Sequence, residues 1–96
     1  MLGKHQKPYQ DFYHSTHNNE HLDSKTELLV GLAAAMAMNC SPCTNYYLGQ
    51  AQKTGISKGE IEDVTAKVMA VAAGQKKLQM QQVVADYNID LESFGR

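Results

Sequence analysis

The chain has 96 residues, nine Lys and Arg against ten Asp and Glu, four His, 43% hydrophobic residues and a formal charge of -1. One composition regime over residues 1–96 predicts one domain, near the lower size at which a lone core is stable, so a subunit partner is expected. The basic residues Lys53, Lys58, Lys67, Lys76 and Lys77 are scattered, not gathered with aromatics, which argues against nucleic acid as a ligand.

Met1 to Asn19 is polar and histidine-rich, without the charged start and apolar core of a secretory signal, so a cytoplasmic location is expected. Residues 1–7 show no periodicity and are expected to form a flexible lead-in. From Pro8 onward, Tyr9, Phe12, Tyr13 and Thr16 fall at helical spacing, which predicts a helix over about residues 8–17, broken by Asn18 and Asn19.

Ser24-Lys25-Thr26-Glu27 matches a capping box and predicts the start of a second helix. It continues through Leu28–Met38, eleven residues that are apolar on every face, short of the roughly 20 that cross a bilayer. This is the pattern of a helix surrounded by protein, not by lipid. Gly31, Ala33, Ala34, Ala35 and Ala37 permit close approach of neighbouring helices, including those of another subunit.

Ser41 as N-cap and Pro42 at the first helical position predict a third helix to about Thr54, stopped by Gly55. A second capping box, Ser57-Lys58-Gly59-Glu60, opens a fourth helix to Gly74, where Glu60, Glu62 and Asp63 complement the helix dipole. A fifth is expected from about Lys76 to Tyr87, followed by a loosely held tail, Asn88–Arg96. No stretch alternates with period two, so the fold class is all-α, a small bundle of about five helices.

The two cysteines, Cys40 and Cys43, stand with two residues between them. The ring they close is too small for much loss of chain entropy, and a purely structural disulfide is unusual in a reducing compartment. The spacing therefore points to reversible redox chemistry. With Cys43 in the first turn of the third helix, its thiolate is expected to be stabilised by the helix end, making it the nucleophile and Cys40 the resolving partner. The plainer reading is a pair of small buried apolar residues. Zinc is weaker, because a second ligand pair is missing nearby.

Tyr47 lies one helical turn beyond Cys43 and can offer its phenol to a thiolate, although it is a poor base at neutral pH. Tyr46 reads as a half-buried aromatic with a wet hydroxyl. His14, His17 and His21 recur at spacings of three and four. They are read as solvated side chains, with two alternatives: a metal site, or one histidine packing over Cys43 from the same or a neighbouring subunit. Met36, Met38 and Met69 read as core filling.

Lys25-Thr26-Glu27-Leu28-Leu29-Val30-Gly31-Leu32-Ala33-Ala34-Ala35, followed by Cys40-Ser41-Pro42-Cys43, Tyr47, Ala51, Gly55, Ser57 and Glu60-Ile61, resembles the carboxymuconolactone decarboxylase family. The resemblance covers roughly residues 22–74 and is to its AhpD-like alkylhydroperoxidase branch, since the decarboxylases proper generally lack the cysteine pair. It implies an all-α bundle assembled as a trimer or hexamer. It also implies a redox site with a glutamate in the preceding helix and a histidine four residues after the second cysteine. Tyr47 stands at the histidine position and Leu28 at the glutamate position. Glu27 comes one residue too early, a turn of about 100° on a helix, and its place in the capping box already accounts for it.

The expected activity is that of an antioxidant thiol peroxidase or thiol–disulfide oxidoreductase, with Cys43, Cys40, Tyr47 and Glu27 as site residues. Its substrate is a peroxide or disulfide, and its electrons come from a protein or small thiol. No nucleotide-binding loop is visible, so no flavin or nicotinamide cofactor is expected, and no metal. The alternatives are an oligomeric binding or scaffold protein that has lost the relay and, last, a lactone decarboxylase.

Overall fold

The computed structural model describes residues 1–95. Their regular structure is helical: α1 (Gln6–Ser15), α2 (Ser24–Ala37), α3 (Ser41–Lys53) and α4 (Lys58–Asp86), with single 3-10 turns at Gly3–His5 and Leu91–Ser93. No strand occurs among the described residues, as the absence of period-two patterning predicts. The expected lead-in is partly ordered, because α1 begins two residues before Pro8, which occupies the first turn where its missing N–H is not needed. The helix closes when Ser15 and Thr16 donate their hydroxyls back to the Phe12 and Tyr13 carbonyls at 2.6 Å each.

α2 begins differently from the expected capping box. Asp23, not Ser24, is the N-cap, and its carboxylate accepts the Thr26 backbone N–H at 2.7 Å. That bond holds the Asp23 carboxyl below its ordinary range. Ser24 becomes the first helical residue, and Glu27 is released from capping. The second expected box does form. Ser57 Oγ accepts the Glu60 N–H, and Glu60 Oε1 accepts the Ser57 N–H, each at 3.1 Å. Lys25 Nζ lies 2.6 Å from Glu60 Oε2, tying the first turns of α2 and α4 together; this ion pair, with the box behind it, lowers the Glu60 carboxyl.

The expected fourth and fifth helices are one helix of 29 residues. Gly74 weakens it by about 1 kcal/mol relative to alanine but has no left-handed backbone to end it, and Gln75 to Gln82 are strong helix formers. The true stops lie elsewhere. α2, α3 and α4 each end on a left-handed residue, Asn39 (φ 57°), Gly55 (φ 75°) and Asn88 (φ 52°). The N–H of the next residue then reaches back to the last turn: Cys40 to Ala35 O, Ile56 to Ala51 O and Ile89 to Val84 O, each at 3.0 Å. These are Schellman endings, and they satisfy carbonyls that the helix itself leaves open.

α2 packs against both α3 and α4, and the buried apolar residues are Leu32 and Ala35 of α2 and Ala51 of α3. The rest of α4 is largely bare, with Leu78 66% and Met80 57% exposed. The radius of gyration is 19.2 Å, against about 12–13 Å for a compact chain of this length. The accessible surface is 8077 Å², against about 5,500 Å² for a compact monomer of this mass.

Candidate redox site

The site is built where α2 ends and α3 begins. Cys40 belongs to both helices. Its N–H closes the Schellman ending of α2, its carbonyl accepts the Thr44 N–H at 2.9 Å, and its Sγ is the N-cap acceptor of α3, taking the Cys43 N–H at 3.3 Å. The expected cap was Ser41, which instead opens the helix. A sulfur can take that place because the extended backbone of residue 40 aims its side chain at the free N–H groups of the first turn.

Cys40 and Cys43 are joined as a disulfide, with their Cα atoms 5.2 Å apart. The donor that the helix end supplies is aimed at Cys40, which is half-buried, whereas Cys43 is exposed. The two sulfurs are thus made unequal by different means, one by a hydrogen bond and the other by access.

Both cysteines line a cavity of about 260 Å³, whose floor is Gly31, Ala34 and Ala35 of α2 and whose walls are Met38, Tyr46, Tyr47 and Tyr13. Tyr47 lies directly on Gly31. A Cβ at that position would overlap the phenol ring, so the glycine is the seat of the tyrosine. Burial pushes the Tyr47 hydroxyl above its ordinary pKa, and the nearby Tyr13 hydroxyl and Glu27 carboxylate add to this. Tyr47 therefore stays protonated at neutral pH and is able to donate. Tyr46 meets Tyr47 edge-on, with ring centroids 5.1 Å apart.

Glu27 and His17 complete the surroundings. His17 Nδ1 is 3.4 Å from Glu27 Oε1, with the side chains only 27% and 15% exposed. The His17 ring stands edge-on to Tyr13 at 4.9 Å and is 6.5 Å from Tyr46. The other histidines, His5, His14 and His21, are exposed, so the spaced trio is not gathered. Among the described residues no group of three or more His, Cys, Asp or Glu is placed to hold a metal.

Residues 4–86 match the sequence pattern of the carboxymuconolactone decarboxylase family. The chain belongs to that family. Its fold is also similar to the crystal structure of a protein from Methanobacterium thermoautotrophicum, with a TM-score of 0.78 and 22% identity, covering 85% of this chain and 94% of that one. No curated protein matches the chain. The carboxymuconolactone decarboxylase match is longer than the resemblance legible around the cysteines, and it takes in α1 with Tyr13 and His17 as well as the whole of α4.

Within this family member, Cys40, Cys43 and Tyr47 meet at one cavity, and Glu27 lies close enough to Tyr47 to act on its titration. Sequence reasoning missed Tyr13 as part of the cavity wall and read Gly31 only as one small residue among several. The signal for Gly31 lay in its position on the helix that faces the cysteine pair. Nothing local signals Tyr13 as a cavity residue, because the other residues lining that cavity come from α2, α3 and the segment between them.

Proposed function

We propose that the protein is a thiol peroxidase or thiol–disulfide oxidoreductase in which Cys43 attacks the oxidant and Cys40 resolves the product. The observation that carries this reading is the Cys40–Cys43 disulfide lining an aromatic-walled cavity with Cys43 exposed. With a peroxide, the Cys43 thiolate attacks one oxygen and the O–O bond breaks. The products are a sulfenic acid on Cys43 and an alkoxide that takes a proton to become an alcohol. The Cys40 thiol then displaces that oxygen as water and forms the disulfide. The cycle closes when a dithiol protein or two small thiols reduce the pair and are themselves oxidised to a disulfide.

In the return step the donor thiolate attacks the accessible Cys43 sulfur, and Cys40 leaves as a thiolate accepting the Cys43 N–H. Tyr47, protonated and lining the same cavity as both sulfurs, is the side chain assigned to donate to the reacting sulfur. None of these steps calls for flavin, nicotinamide or metal. The reading places the protein in a reducing cytoplasm. Among the described residues no helix is long and apolar enough to cross a membrane. Adding one equivalent of hydrogen peroxide to the reduced protein is expected to consume both thiols and give an intramolecular disulfide, seen as a loss of two hydrogens by intact mass. Thiols that survive an excess of peroxide would reject this reading.

The second reading, a scaffold, is favoured by a separate observation: the apolar surface left bare along α4 and in a groove of about 440 Å³ between α2 and α4, bordered by Val30, Val68 and Val71. We propose that copies of the chain cover this surface in a homo-oligomer, a trimer or hexamer, whichever chemistry the site performs. Light scattering after gel filtration is expected to give a multiple of the 10.6 kDa chain mass, and a monomer at micromolar concentration would refute it.

A further inference from the structure

Three phenol rings converge beside the cysteine pair. Tyr46 and Tyr47 come from α3 and Tyr13 from α1, and all three line the cavity of about 260 Å³ over its floor of Gly31, Ala34 and Ala35. Met38, read from the sequence as core filling, instead lines this cavity as an exposed side chain. Phenol rings and a thioether are surfaces that favour another aromatic ring, met edge-on, in offset stacking or through sulfur. The volume lies below the roughly 300–1,000 Å³ of pockets that hold a drug-sized ligand, so it suits a single ring. Cys43 lines the same cavity and is exposed, so a reactive group attached to that ring is presented to its sulfur.

Of the three rings, Tyr13 is the one whose place is not set by the packed helices. α2 packs on α3 and α4, and α1 takes little part in that packing. Among residues 1–20, only Gln6 and His17 are not exposed. α1 is thus anchored near its C-terminal end. The His17 N–H donates to the His14 carbonyl at 3.1 Å and continues the turn, which puts His17 one turn beyond Tyr13 on the same face. The two rings meet edge-on with centroids 4.9 Å apart, and His17 Nδ1 lies 3.4 Å from Glu27 Oε1 on α2. On its other side the Tyr13 ring stacks on Tyr9 at 6.4 Å. Glu27 therefore fixes His17, and His17 fixes Tyr13 against the cavity.

We propose that this cavity seats one aromatic ring of the molecule that reacts at Cys43, and that Tyr13 is the specificity-determining wall of the seat. His17 and Glu27 do not line the cavity; they are positioning residues that act through Tyr13. The assignment rests on the thiol reading for the identity of the reacting sulfur, and with that reading the oxidant is a hydroperoxide carrying an aryl group. Its ring lies among Tyr13, Tyr46 and Tyr47, and its peroxide group faces Cys43.

Labelling a thiol tests the seat without peroxide. In a Cys40→Ser background, where serine is a competent cap for α3, Cys43 is the one thiol. Its labelling rates with N-phenylmaleimide and N-ethylmaleimide are measured by mass spectrometry, each divided by the rate of free N-acetylcysteine with the same reagent. The ratio of the two cancels the thiolate fraction, so it reports seating of the ring and not the acidity of Cys43. The parent is expected to favour the phenyl reagent about 10-fold, Tyr13→Phe to keep that preference, and Tyr13→Ala to fall to the ratio of the free thiol. His17→Ala is expected to lose most of the preference, and adding it to Tyr13→Ala to change nothing further. Thermal melting verifies that each variant is folded. A parent ratio equal to that of the free thiol would overturn the seat, and a preference that survives in folded Tyr13→Ala would overturn the role of Tyr13. A ratio unmoved by His17→Ala would overturn the positioning role. Thiols oxidised by hydrogen peroxide without any phenyl preference would reject the seat and leave the thiol reading standing. A phenyl preference in a protein that consumes no peroxide would support the seat and reject the peroxidase reading.

Discussion

Cys43→Ser is expected to reduce peroxide consumption to the uncatalysed rate, while Cys40→Ser completes a single reduction and then stops. A serine hydroxyl has no accessible anion at neutral pH and no affinity for peroxide oxygen, so nothing at position 43 can carry the first step. In Cys40→Ser the first step survives, and the sulfenic acid persists because no thiol displaces it. Stopped-flow peroxide reduction combined with dimedone labelling distinguishes the two. The competing assignment is specific, because the Cys43 N–H stabilises the Cys40 sulfur. If Cys43→Ser retained the single burst and Cys40→Ser lost it, the nucleophile would be Cys40, and the helix end would have outweighed access.

Leu32→Ala is expected to have the largest effect on folding. Leu32 is 1% exposed and is the one large side chain that is fully buried among the described residues. Removing its branched end leaves a cavity between α2 and its partners, at a cost of about 2–5 kcal/mol. Against a total stability on the order of 5–15 kcal/mol, that is a large fraction of what holds the chain folded. Urea titration at one fixed protein concentration measures it, and a change below about 1 kcal/mol would mean that the small α2–α3 core does not anchor the fold. The concentration must be fixed because any subunit contact adds its own stabilisation by mass action.

The helix boundaries show which signals a sequence carries and which it does not. The box at Ser57 and Glu60 is legible because its donors and acceptors lie within a few residues of one another, whereas α3 takes Cys40 and not the expected Ser41 as its cap. Asp23 and Ser24 are adjacent and both able to cap, and only the backbone decides between them. Taking Asp23 moves Glu27 from a local task to one across the fold, beside His17. A glycine followed by a helix-forming run is ambiguous in the same way, and Gly74 resolves as continuation because nothing there turns the backbone left-handed. At the site, the cysteine pair and Tyr47 share one helix face and could be read from spacing. His17 and Tyr13 arrive from α1 and its exit, and their place beside α3 is a matter of packing that no local pattern records.

The anchoring of Cys40 by two helices at once bears on what opening the disulfide would ask of the backbone. Its amide is fixed by α2 and its carbonyl by α3, and neither bond involves the sulfur. Breaking the disulfide therefore asks for rotation of side chains about their own bonds and leaves the ribbon in place. If the pair is reduced, the backbone bonds of Cys40 to α2 and α3 give it no cause to move, and amide chemical shifts outside residues 38–47 are expected to be the same in both states. On the proposed thiol reading, a reductant is therefore expected to recognise the sulfurs and the cavity around them and not a change of fold.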